Sequence, residues 1–161
     1  MSNREFYSAR VKAEAPAFSK VIRALPLARG DYRPHPRSRS AAELAWVLAG
    51  EVQGAVALVE THRAEWDEST SARGLEGAAE AFEQAQARLL ELLAGVDDAA
   101  WAKEAQMLMG GQVGWTAPLG EMLWGFLFDA IHHRGQLSTY LRPMGGKVPS
   151  IYGPSGDEPM G

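Results

Sequence analysis

At 161 residues, with 46% hydrophobic and 22% charged side chains, the chain has the size and composition of one soluble domain with a core of its own. A net charge of -4 and the scatter of its 16 Lys and Arg residues argue against a nucleic-acid partner. The absence of cysteine excludes disulfides, thiolate metal ligands and a protein thiol nucleophile. The N-terminus lacks the apolar core of a signal peptide, and the apolar run near Met122 to Phe128 is too short to span a bilayer. A cytoplasmic protein with no membrane partner is the expectation.

Helical patterning dominates. Ser2-Asn3-Arg4-Glu5 reads as a capping box, in which the Ser side chain accepts from an orphan amide and the Glu reaches back. It opens a first helix over about 3–25, which Pro16 should kink or split. Pro26 and Gly30 end it, and a linker from Ala28 to Ser40 with two prolines follows. Ser40-Ala41-Ala42-Glu43 is a second capping box and opens a helix over about 40–65. After the polar break "WDESTSARG" comes a third helix over about 75–94, with Gly95 as terminator. Between Val96 and Trp115 a short helical turn and a Gly-rich loop are expected. Pro118 opens the last helix, over about 117–141, which stops at Pro143 and Gly145-Gly146. Residues 142–161, with little to bury, form an extended tail. The whole chain, 1–161, is expected to be a single all-α domain, a four-helix bundle with long interhelical loops.

Two helices carry polar residues where core residues belong. At about 100° per residue, with His133 at zero, Phe126 lies near 20°, Leu137 near 40° and Ala130 near 60°. Asp129 falls near -40°, so Asp129 and His133 share the apolar face one turn apart, while His132 lies about 100° away at its margin. On the second helix Glu51 lands in the middle of the arc of Leu44, Val47, Ala55 and Leu58. A buried carboxylate costs several kcal/mol unless compensated. An inward Glu facing an inward Asp-His pair is one way helical proteins build metal sites. A hydrogen-bonded polar network without metal, or a Glu at a seam that reaches solvent, is the other reading. His35, between two prolines, reads as a surface or packing residue. His62 lies about 16 Å along the helix from Glu51, too far to share an ion. Arg134 is a candidate to neutralise a carboxylate or bind substrate, and Gln136 and Tyr140 are candidates to orient His133 by hydrogen bonds. "GGQVGW" lacks a phosphate-loop Lys and follows no strand pattern, so nucleotide binding is rejected.

The segment "HHRGQLSTYLRPMG", His132 to Gly145, preceded by "LWGFLFDAI", resembles the last-helix signature of the DinB/YfiT-like proteins. "YRPHPRSRSAAELAWVLAGE", Tyr32 to Glu51, is similar to that family's entry into its second helix. The resemblance implies a four-helix-bundle metalloenzyme, with thiol-dependent transferases among its relatives. It implies three histidine ligands to a divalent metal, commonly nickel or zinc. The last ligand matches His133. The position one turn earlier is Asp129, and the second-helix position falls on Val47, which cannot bind metal. Glu51, one turn beyond Val47, is the substitute ligand if the two helices run antiparallel. A Glu51/Asp129/His133 set is harder than three imidazoles and suits Zn or Ni, with Mn or Fe also admissible. A thiol nucleophile would come from a low-molecular-weight thiol such as bacillithiol or mycothiol.

Two functions follow. One is a metal-dependent enzyme, a thiol-dependent transferase or hydrolase acting on a small molecule, with a homodimer expected. The other is a non-enzymatic bundle that binds a small ligand or dimerises, with Glu51, Asp129 and His133 as a polar core network.

Overall fold

The computed structural model describes residues 1–66 and 73–159. Residues 67–72 of the expected polar break lie outside the described residues. Helix α1, Asn3–Arg23, begins at the Ser2 capping box, with the Ser2 hydroxyl accepting from the Glu5 amide and Glu5 reaching back. It buries Tyr7, Val11, Glu14, Phe18, Val21 and Ile22, the spacing of one helix face. Pro16 lies within α1 and does not split it. A single 3-10 turn at Leu27–Arg29 leads into the proline linker.

Helix α2, Ala41–Thr61, opens at the second capping box, Ser40 with Glu43. By length and apolar content α2 could cross a membrane, yet much of it is buried within this fold. It ends at His62, whose backbone takes the left-handed conformation with φ 57°. That turn is why the helix stops at Thr61 rather than near residue 65, because a left-handed residue cannot extend a right-handed helix. Helix α3, Ala78–Leu93, is shorter at its start than expected, with Gly77 at φ 80° before it. Helix α4, Asp98–Ala102, is the expected short turn, capped by the Asp97 side chain on the Ala100 amide at 2.7 Å. Helix α5, Leu119–Tyr140, follows Pro118 directly.

The all-α expectation is corrected by a small mixed sheet. Strands β1 (Arg63–Trp66), β2 (Glu104–Met109) and β3 (Gln112–Pro118) lie in the order β1-β2-β3. β1 pairs parallel with β2, and β2 pairs antiparallel with β3. The Gly-rich stretch expected as loop is therefore a hairpin. Gly110 and Gly111, at φ 58° and 76°, supply the two positive-φ residues that a tight hairpin turn demands.

The core lies among α1, α2, α3 and α5. α2 packs against α3, α5 and β1, while α1 packs against α3 and α5. The tail is not extended. It folds back, with Asp157 accepting from the Val148 amide and pairing with Arg142, both at 2.9 Å. Tyr152 hydrogen-bonds Glu14 and Arg134.

Candidate metal centre

Glu51 and His133 meet across the α2–α5 packing. His133 Nδ1 and Glu51 Oε1 are 2.6 Å apart, and Asp129 Oδ1 lies 3.8 Å from the same nitrogen. One ligand atom from each residue lies within 4.8 Å of the others. The side chains differ sharply in exposure: 3% for Glu51, 17% for His133 and 60% for Asp129. Asp129 is thus not on the buried face. It sits at the edge of the arc, where the fold opens a cleft beside α5.

The electrostatics follow from that burial. Loss of water pushes the Glu51 carboxyl up to about 7, against the opposing pull of the His133 hydrogen bond. That hydrogen bond holds His133 above the ordinary imidazole value, with burial opposing it. Burial raises Glu51 and the hydrogen bond raises His133, so the two groups titrate as a pair. The second carboxylate oxygen, Oε2 of Glu51, is buried and has no hydrogen-bond partner among the described residues. An orphaned buried oxygen beside an imidazole and a second carboxylate fits a divalent cation. The ion would displace the shared proton and occupy the lone pair that protein groups leave unmet.

The triad opens into a cleft of about 570 Å³. Its walls are Trp66 from β1, Met107 and Met109 from β2, Trp115 from β3 and Phe126 from α5, with Arg39 from the linker. Gly125 brings the Trp115 ring against α5: a Cβ there would lie 2.9 Å from the indole edge. Val47 is buried and lines a separate recess with Trp46, Gln53 and Trp66.

The remaining expected site residues lie elsewhere. His132 is exposed, with its ring 5.4 Å from that of His133 at a T-shaped angle. Gln136 is exposed and makes no hydrogen bond to His133 among the described residues. Tyr140 is buried edge-on against Tyr32, and its hydroxyl donates to the Arg39 carbonyl at 3.1 Å. It holds the linker rather than the imidazole. Arg134 is 2% exposed and turns away to Glu14, Phe18 and Tyr152. His35 is exposed, its Nδ1 accepting from the Arg37 amide, and His62 caps α2. The buried Glu14, partner of Arg134, went unseen in the sequence. The face test that singles out Glu51 finds Glu14 too, between Val11 and Phe18.

The DinB family model matches residues 1–160. The chain belongs to the DinB family. No curated protein matches this DinB chain in sequence. Among solved structures it is similar to a DinB-like protein from Bacillus cereus, at 16% identity and TM-score 0.74, covering 92% of this chain and 97% of that one. A DinB-like protein from Bacillus subtilis is similar at 15% identity and TM-score 0.68, covering 88% and 92%. The mycothiol-dependent maleylpyruvate isomerase matches at 14% identity and TM-score 0.57, covering 91% of this chain and 62% of the isomerase. At these identities the likeness is one of fold.

Proposed function

We propose that this DinB protein binds a divalent metal through Glu51, Asp129 and His133 and catalyses a thiol-dependent transfer or hydrolysis on a small molecule. The observation that carries the reading is the buried Glu51–His133 pair, with the Glu51 Oε2 unpartnered, opening into a cleft through Asp129. When bound, the ion would supply Lewis-acid chemistry, polarising an electrophile or lowering the pKa of a thiol. Glu51 fixes the imidazole of His133 from below. Asp129 meets the cleft from the exposed side, and the aromatic walls exclude water from an apolar substrate. The donor set suits Zn or Ni, with Mn or Fe as alternatives. The thiol part draws support from a mycothiol-dependent relative of the same fold, and from a chain without cysteine. A small-molecule substrate, a homodimer and a cytoplasmic setting belong to the same proposal. Elemental analysis and calorimetric zinc titration of the purified protein test it. About one equivalent per chain, lost in Glu51→Gln, is expected; no uptake overturns it.

A second reading keeps the triad as a polar core network in a non-catalytic bundle that binds a small ligand or dimerises. Two observations favour it. Val47 stands where the family resemblance places a ligand, and the Glu51–His133 hydrogen bond already satisfies one carboxylate oxygen and the imidazole Nδ1. Under this reading chelators leave the melting temperature unchanged, and Val47→His raises zinc affinity steeply.

A further inference from the structure

We infer that the cleft selects a small monoanion with an apolar body, recognised by Arg39. The inference rests on the metal-site reading above and specifies its substrate class. Among the described residues, the side chains lining the cleft apart from the triad are thioethers and aromatic rings, with one exception, Arg39. Arg33 is engaged by Glu43 and Arg134 by Glu14, whereas Arg39 has no carboxylate partner among the described residues. Its backbone is anchored nonetheless. The Tyr140 hydroxyl donates to the Arg39 carbonyl, and the next residue is the Ser40 cap of α2, held by two hydrogen bonds. An exposed cation on a fixed backbone, facing a cleft, is placed to meet a ligand rather than to hold the fold.

The charges agree. A divalent ion would be neutralised by the carboxylates of Glu51 and Asp129, which leaves the cation of Arg39 uncompensated among the described lining residues. The guanidinium fork matches a carboxylate or a phosphate-like oxyanion with paired donors. Trp66, Met107, Met109, Trp115 and Phe126 offer the adjoining surface for an apolar or aromatic body.

The probes are 2-naphthoate and its uncharged isostere 2-naphthamide, titrated calorimetrically into the zinc-treated protein. Naphthoate is expected to bind about tenfold more tightly than naphthamide, the scale of one charge-assisted contact at a partly exposed site. Arg39→Gln should abolish that preference and Arg39→Lys should keep part of it, with thermal unfolding unchanged because the side chain is exposed. Equal binding of the two probes by the wild type, or a preference that survives Arg39→Gln, overturns the inference. Zinc uptake is read in a separate titration. An Arg39-dependent preference without zinc uptake sinks the metal reading and leaves the anion site standing. Zinc uptake with no preference does the reverse.

Discussion

Arg134 is the residue after His133 on α5, yet its guanidinium donates to Glu14 of α1 at 2.7 Å, away from the triad. Adjacent positions point about 100° apart on a helix, so one segment serves two jobs. His133 faces the cleft, while Arg134 ties α5 to α1 and, through Tyr152, to the tail.

Breaking that pair should destabilise the fold. Both side chains are nearly inaccessible, at 3% and 7% exposure. Arg134→Met leaves the buried Glu14 with only the half-exposed Arg10, at 3.3 Å, as its cation and should cost about 3 kcal/mol. The double variant Glu14→Leu with Arg134→Met should recover much of the loss, because neither charge is then stranded. Urea unfolding of the two variants measures this; equal losses in the single and double variants would refute it.

Acid should weaken the same contact. Burial alone would raise the Glu14 carboxyl, but hydrogen bonds from Arg134 and Tyr152 outweigh it and hold it below the ordinary value. A group more acidic in the folded than in the unfolded chain stabilises fully above its unfolded pKa. That contribution is lost as pH falls through the folded value. Stability should therefore decline from about pH 5 downward. In Glu14→Gln this part of the decline disappears, as denaturation at stepped pH will reveal.

The three candidate ligands should contribute unequally to metal affinity. Glu51→Gln and His133→Ala should each weaken zinc binding by more than about a hundredfold, beyond the usual loss for an outer-shell partner. Asp129→Asn, at an exposed position, should cost less. Competition against a chromophoric chelator ranks the three. Zinc binding should also release a proton, read from calorimetry in buffers of different ionisation enthalpy.

Gly125→Ala should alter the cleft without harming α5. The added methyl meets the edge of Trp115, which must shift, while the helix gains up to about 1 kcal/mol in propensity. Weaker naphthoate binding with unchanged zinc affinity is the expected outcome. Unchanged binding of both would mean that Trp115 is not a working wall of the cleft.

Much of this was legible in the sequence, and for identifiable reasons. Both capping boxes, Ser2 with Glu5 and Ser40 with Glu43, are local signals and form as expected. Glu51 and His133 were legible because a charged or imidazole group on an apolar arc stands out at helical spacing. The sheet was not. The β1–β2 pairing is parallel and joins Arg63 to Gln106, a partnership that no local pattern announces. The Gly110-Gly111 pair was a hairpin signal that reads equally as loop. Because the sheet was hidden, so were the cleft walls Trp66, Met107, Met109 and Trp115. Angular arithmetic puts Asp129 on the apolar face because it takes no account of where neighbouring elements leave a gap.

The two helices that carry the triad both run straight into the sheet. α2 ends at Thr61 and β1 begins at Arg63, while β3 ends at Pro118 and α5 begins at Leu119. The sheet is thus a ruler between them. One residue of slip along a strand is a displacement of about 3.3 Å, which exceeds the 2.6 Å between Glu51 and His133. Strand register, set outside the triad, therefore bears on whether the carboxylate and the imidazole can meet, together with the direct packing of α2 on α5.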